Sequence, residues 1–519
     1  MKRQKFSLNI IKMNRVLLCL VSAIFFSSCS TLDATKETQS KSDGLVTVKF
    51  VQVNDVYEIA PLNGGEYGGM ARVAHIRDSI KAQFPNTYLY MAGDFLNPSL
   101  LGTLKVDGER LYGKQMVEVM NAMEFDLVAF GNHEFDLSEA DLQKRLNEST
   151  FKWTSANVRH ITEDGLKPFS TKEPISDYEI FHVKEPDGDE MKFGMISVTL
   201  PSNPKDYVYY GDVYTEAIRA NKLASEKADL VFGLTHVSID EDKEIAQLIP
   251  HIPLIMGGHE HNATLVKVGE TAIAKADANA KSVYVHTIVY NTNTKKYSLN
   301  SQLVFVDENT ASNAKVEKIV SKWNSMLDEK LKEVIDDPNM VIYTPETPLD
   351  GTDSASRGIQ TNLGAIITQA MAYSFQNEVA AALVNGGSIR IDDMLSGSIT
   401  AKDIFRVLPF GGGILKVDLK GSLLKEVLDY GEKKRGTGAY LQRDSVSQDL
   451  NGAWLIQGER ILEEKIYSVA FSDFLLKGLD IPFLTPENKG VVNIYSPKQT
   501  EIAADIRKAI IFFLNSQKK

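Results

Sequence analysis

The chain has 519 residues, 43% hydrophobic and 24% charged, with a formal net charge of -11. This composition excludes a disordered chain, a collagen and a coiled-coil rod, and the length suggests two or more domains with their own cores. The negative charge argues against a nucleic acid backbone as partner, and two cysteines, Cys19 and Cys29, both near the start, exclude a disulfide-stapled fold.

In chain order, Lys2, Arg3, Lys5, Lys12 and Arg15 form a basic stretch. Residues 16–26 are an apolar run too short to span a bilayer, and Ser27 and Ser28 precede Cys29. The pattern predicts a secretory signal peptide over residues 1–29. Its end resembles a bacterial lipobox, in which Cys29 is lipidated and anchors the body to a membrane. A plain cleaved signal with an incidental Cys29 is the alternative. Residues 30–44, rich in Ser, Thr and Lys, read as a flexible tether.

Residues 46–53 alternate like a half-buried strand. Short strand-like runs follow at 88–92, 127–130, 230–234 and 252–256, with helical patterns between them at 70–83 and 113–123. This predicts a layered α/β domain over residues 45–308. Residues 311–334 read as one long helix within a linking region, 309–340. A second, smaller α/β domain is expected over 341–519, and residues 336–358, rich in Asp, Pro, Thr and Ser, read as a linker.

Ligand-type residues follow the apolar runs. Asp55 comes after the first, Gly93-Asp94 after the second, and Gly131-Asn132-His133-Glu134-Phe135-Asp136 after the third. His236 comes after the fourth, and Gly258-His259-Glu260-His261 after the fifth. In α/β sheets such strand ends meet in one crevice. Asp, Asn and His without thiols suit divalent cations other than structural zinc, and a carboxylate such as Asp94 can bridge two of them. Each cluster alone is most simply a turn; five in order, each after a strand, form a pattern. His75, His160, His182, His251 and His286 fall outside it and are read as surface or satisfied core histidines.

This series resembles the calcineurin-like metallophosphoesterases, and residues 113–122 with 131–136 resemble their 5′-nucleotidase branch. Asn362-Leu363-Gly364-Ala365, Asn385-Gly386-Gly387-Ser388-Ile389-Arg390, Leu408-Pro409-Phe410-Gly411-Gly412 and Tyr467-Ser468-Val469-Ala470 resemble that family's substrate-binding domain. The resemblance implies a four-layer αββα sandwich, then a smaller α/β C-terminal domain joined by the long helix, with the active site between domains. It implies two divalent cations, with Mn, Zn, Co and Mg not distinguished. Asp55, Asp94 and His261 would hold one, and Asp94, Asn132, His236 and His259 the other. His133 and Asp136 match the catalytic pair. Arg390, and Arg357 as a second, match phosphate-binding arginines. Phe410 and Phe474 match a base-stacking pair, and Asn385 and Asp480 match residues that hydrogen-bond base and ribose.

There are two departures. Where the family has Asp-X-His, this chain has Asp55-Val56-Tyr57, and Tyr57 is left as a ligand, an outer hydrogen-bonder or a packing residue. Gln369 stands where the C-terminal helix often carries Asp, which bears on packing more than chemistry. The expectation is a lipid-anchored, periplasmic or surface-facing phosphohydrolase. A water activated by two cations would cleave nucleotide 5′-monophosphates to nucleoside and phosphate. The alternatives are a 2′,3′-cyclic nucleotide phosphodiesterase, a UDP-sugar hydrolase, or a non-catalytic nucleotide-binding lipoprotein. No protein partner is inferred.

Overall fold

The computed structural model describes residues 42–202 and 204–517; the predicted signal peptide, Cys29 and the tether up to residue 41 lie outside them. No helix among the described residues is long and apolar enough to cross a membrane.

Strand β1 (Leu45–Val53) shows how the sandwich arises. Side chains on a strand alternate between faces. Val46, Val48 and Phe50 therefore enter a core shared with Tyr90, Phe193 and Phe232, while Val51 and Val53 enter a second core under helices. The first sheet adds β2 (Thr87–Met91), β3 (Leu127–Ala129) and β4 (Lys152–Thr154). The second contains β5 (Tyr178–Lys184), β6 (Glu190–Ile196), β7 (Leu230–Thr235), β8 (Leu254–Gly257), β9 (Thr264–Val268) and β10 (Thr271–Lys275). A long hairpin, β11 (Ser282–Asn291) and β12 (Lys296–Phe305), returns to the first. The two six-stranded sheets run β12-β11-β1-β2-β3-β4 and β9-β10-β8-β7-β6-β5. β1, β2, β3 and β4 are parallel neighbours, as are β6, β7, β8 and β10. Residues from both sheets share the core between them.

Helices α1 (Met70–Lys81) and α2 (Lys114–Met123) cover the outer face of the first sheet. Helices α3 (Val213–Ser225) and α4 (Ile239–Leu248) cover the second. The four-layer αββα order is thus present. The long helix, α5 (Ala314–Lys332), starts where Asn313 caps it by accepting from the Lys315 and Val316 backbone N–H groups. Its stripe Val316, Val320, Trp323, Leu327 and Leu331 packs on α1 and α2, and Trp323 Nε1 donates to Glu118 at 2.9 Å.

The second domain is built on a five-stranded sheet. Its strands are β13 (Ala381–Asn385), β14 (Ile414–Lys420), β15 (Leu441–Asp444), β16 (Ile466–Ser472) and β17 (Val491–Tyr495), in the order β15-β13-β16-β14-β17. The stretch expected as a linker is partly structured. Val341–Tyr343 pairs with Ile399–Thr400, and Leu349–Asp350 pairs with Met394–Leu395. These pairings fasten the short pieces to the second domain, and Ile342 and Leu349 are buried.

Candidate metal centre and substrate pocket

The C-terminal ends of β1, β2, β3, β7 and β8 deliver ligand-type side chains to one rim. Three of those residues have left-handed backbone: Asp55 at φ 53°, Asp94 at φ 57° and His259 at φ 82°. Such conformations cost energy in non-glycine residues and cluster at functional sites. Two glycines allow the close approach. A Cβ at Gly131 would overlap Asp94, and one at Gly258 would overlap the Ala92 carbonyl and crowd His236.

Each aspartate has one oxygen held and the other turned inward. Asp55 Oδ2 accepts from Asn54 Nδ2 at 2.7 Å and from the His259 backbone N–H at 3.0 Å. Its Oδ1 is buried and makes no hydrogen bond; it lies 3.5 Å from His261 Nε2 and 4.0 Å from His236 Nε2. Asp94 Oδ1 accepts from the His133 backbone N–H at 2.7 Å, and Oδ2 lies 3.1 Å from His236 Nε2. Asp55, Asp94 and His236 present ligand atoms within 4.8 Å of one another. Both of these histidines place Nδ1 on a carbonyl: His236 on Ala92 at 2.7 Å and His261 on Asp392 at 2.6 Å. A carbonyl only accepts, so the proton sits on Nδ1 and Nε2 faces the carboxylates, as a cation ligand requires. The His259 ring packs 5.5 Å from that of His236. His259 also lines a cavity of about 160 Å³ with Asp94, Asn132, His133 and His261.

The electrostatics agree with this donor set. Burial pushes His236 down, but the charges of Asp94 and Asp55 outweigh it and carry it up to about 9. Burial likewise opposes His261, which Asp392 and Asp55 raise to about 10. The cluster thus draws positive charge inward, from a proton or from a divalent cation. The buried Asp55 oxygen, which lacks a hydrogen bond, and the inward Nε2 atoms fit divalent metal binding. Tyr57 lies inside the cluster, its phenol 3.4 Å from Asp94 Oδ2 and 3.2 Å from His261 Nε2. Burial and the charges of Asp94 and Asp55 push its pKa well up, so it is a neutral phenol there.

His133 Nδ1 meets Asp136 Oδ2 at 2.8 Å. Burial lowers the His133 pKa, but Asp94 and Asp136 outweigh it and raise it to about 9. Burial raises that of Asp136, against which His133 and Arg390 bring it down to about 2. The second domain reaches this pair directly: Arg390 Nη2 donates to Asp136 Oδ2 at 2.9 Å.

A second cavity, of about 610 Å³, is lined by Arg357, Asn385, Arg390, Phe410, Phe474 and Asp480, which brings all six expected substrate residues together. Phe410 is 54% exposed, so core packing does not explain it. Asn385 Nδ2 donates to Asp480 at 2.7 Å. Arg357 also lines the smaller cavity, and the Nε atoms of Arg357 and Arg390 are buried without hydrogen bonds. The histidines outside the motifs behave as expected. His286 is buried between Ser301 and Gln52, while His160, His182 and His251 pair with Glu139, Glu190 and Asn221.

Several supporting residues were not anticipated. The Glu134 carboxylate accepts from the backbone N–H groups of Asp94, Phe95, Leu96 and Gly131, tying the β2 and β3 loops together. Lys275 is fully buried and donates to the carbonyls of Val237 and Gly258, each beside a histidine of the cluster, with Asp242 and Glu260 as counter-charges. Glu134 stands in a motif, but a motif does not show which backbone groups its carboxylate will meet.

Comparison with known proteins agrees with this geometry. Residues 48–263 match the calcineurin-like phosphoesterase model, and residues 341–485 match the 5′-nucleotidase C-terminal domain. A snake venom 5′-nucleotidase from Gloydius brevicauda is 28% identical over 466 residues, covering 81% of this chain and 75% of that protein. The human 5′-nucleotidase is 26% identical over 414 residues, covering 72% and 68%. The crystal structure of a 5′-nucleotidase precursor from Thermus thermophilus shares the fold, with TM-score 0.68, 23% identity, and coverage of 91% of this chain and 97% of that one. The chain belongs to the 5′-nucleotidase family of calcineurin-like phosphoesterases, and is a metal-dependent phosphoester hydrolase.

Proposed function

We propose that the chain hydrolyses nucleoside 5′-monophosphates to nucleoside and phosphate, outside the cytoplasm, with two divalent cations. One observation carries the reading: the cavity of ligand-type side chains and the cavity holding Phe410 and Phe474 share Arg357. A nucleotide with its phosphate in the first would reach the aromatics with its base. The names of the relatives, 5′-nucleotidases, support the same substrate class.

In this reading Asp55 and His261 hold one cation, Asn132, His236 and His259 the other, and Asp94 serves both. Such cations supply Lewis-acid chemistry, polarising a phosphoryl oxygen and activating water for in-line attack. The remaining steps belong to side chains. Asp136 keeps a proton on His133 Nδ1, so that Nε2 serves the phosphoryl or leaving oxygen as charge develops. Arg390 and Arg357 grip the phosphate, a task for which a planar guanidinium is better shaped than an ammonium. Phe410 and Phe474 stack on the base, while Asn385 and Asp480 hydrogen-bond base and ribose. The signal sequence and Cys29 support a lipid-anchored protein at the cell envelope.

The test is phosphate release from AMP, a 2′,3′-cyclic nucleotide and UDP-glucose by metal-depleted protein resupplied with Mn²⁺, Zn²⁺, Co²⁺ or Mg²⁺. The expected result is metal-restored release from AMP. Turnover of only the cyclic nucleotide or UDP-glucose would replace the substrate assignment. Silence on all three would leave a nucleotide-binding lipoprotein.

A further inference from the structure

Residues 390–393 of the second domain touch the first domain at three points. Arg390 donates to Asp136. The Asp392 carbonyl accepts from His261 Nδ1 at 2.6 Å, while its carboxylate Oδ2 lies 3.2 Å from His261 Nε2. Asp393 pairs with Lys281. The Asp392 carboxylate is held from behind, where Oδ1 accepts the Asp353 backbone N–H at 2.7 Å. Asp392 itself has φ 43°, a left-handed conformation unfavourable for aspartate. That conformation brings its carbonyl and its carboxylate against one imidazole.

The contrast with His236 shows what this does. His236 takes its orienting carbonyl from Ala92 in its own domain. His261 takes it from the other domain. The carbonyl fixes the proton on Nδ1 and leaves Nε2 toward Asp55 Oδ1, 3.5 Å away. The Asp392 carboxylate adds negative charge beside Nε2, next to Tyr57, which carries none. The first domain alone thus offers this position a neutral phenol and an imidazole whose outer partner is missing.

We propose that Asp392 is a metal-positioning residue supplied by the second domain, so that cation binding at Asp55 and His261 depends on docking of residues 390–393. The inference rests on the reading that Asp55 and His261 hold a cation. By linkage, a cation bound there tightens the docking by the same factor.

The experiment is calorimetric titration of the metal-depleted full chain with Mn²⁺. The variants are Asp392→Asn; Asp392→Gly, which keeps the carbonyl and suits φ 43°; and Asp393→Asn, which breaks the Lys281 pair without touching His261. His261→Ala serves as reference. The native chain should bind two Mn²⁺. Both Asp392 variants keep the carbonyl but remove the carboxylate beside Nε2. They should weaken one position by about tenfold or more, the range found when a group supporting a metal ligand is lost, and leave the other unchanged. Asp393→Asn, which loosens the docking alone, should weaken the same position by less. Hydrogen exchange at residues 390–393 should slow on Mn²⁺ addition in the native chain and not in His261→Ala. Two unchanged affinities in both Asp392 variants would overturn the inference while keeping the two-cation reading. A native chain whose Mn²⁺ binding is indifferent to His261→Ala would overturn both.

Discussion

The metal centre and the nucleotide pocket are built in opposite ways. At the centre, Asp55, Asp94 and His236 are buried, three residues sit in left-handed backbone, and nearly every inward atom has its neighbour pinned by a backbone group. The pocket has loops, an exposed Phe410, and two arginines with unpaired Nε atoms. Drawing carboxylates and imidazoles out of water is costly unless they are paired or bind a metal. Such ligands must be held by a rigid scaffold before the cation arrives. A nucleotide brings its own apolar faces and charges, so its site can stay open and keep donors in reserve. The lesson is that rigidity here follows the cost of burying charge, not closeness to substrate.

The comparison predicts a graded set of losses. Replacing His133 by Ala should lower kcat by roughly two to four orders of magnitude, the usual weight of a general acid or base. Calorimetry on the same variant should still detect both cations. A variant with near-native kcat would remove His133 from its role. Replacing Glu134 by Ala strands four buried backbone donors, and each stranded group costs about 1–3 kcal/mol. We expect at least about 3 kcal/mol lost in urea unfolding, together with weaker metal binding; a loss below about 1 kcal/mol would contradict the scaffold account. In the pocket, Phe410→Ala should raise KM by about tenfold or more while sparing kcat, since base stacking is worth about 1–3 kcal/mol. An equal fall in kcat with KM unchanged would show that Phe410 does not act through ground-state base binding.

The last effect concerns His286, away from the site. Burial holds it near 3, and it is neutral between Ser301 and Gln52. Gln52 Nε2 in turn donates to Gly257 and Ala274 of the second sheet, so this chain of bonds joins the two sheets. Above pH 6.5 both folded and unfolded forms are neutral, and stability does not depend on this group. Below 6.5 the unfolded chain takes up the proton and the folded chain does not. Stability therefore falls toward pH 3, by up to about 1.4 kcal/mol per pH unit. Unfolding free energies from urea titrations of native and His286→Gln proteins should diverge between pH 6.5 and 5, approaching that slope toward pH 5. Parallel curves would show that His286 does not carry the dependence.

The strand-end residues of ligand type were legible because each follows an apolar run, and a run predicts both a strand and where it stops. Phe410, Phe474, Arg390, Asn385 and Asp480 were legible only through motifs, and the fold brings them into one cavity. The roles of Glu134, Lys275, Gln52 and Asp392 were not legible, because their partners are distant backbone groups that leave no spacing in the sequence. Asp392 looks like an ordinary loop aspartate until His261, 131 residues away in sequence, is placed against it. The short pieces at Val341–Tyr343 and Leu349–Asp350 were missed because two or three residues carry no periodicity.

A crystal structure of the chain with Mn²⁺ and phosphate, phased on the anomalous signal, tests the account most directly. It should show two Mn²⁺ about 3.5–4 Å apart, the usual two-metal spacing. Asp94 should lie between them, one ion on Asp55 and His261 and the other on Asn132, His236 and His259, with phosphate facing His133 and Arg390. A single ion, or ions bound away from Asp94, would contradict the two-cation site.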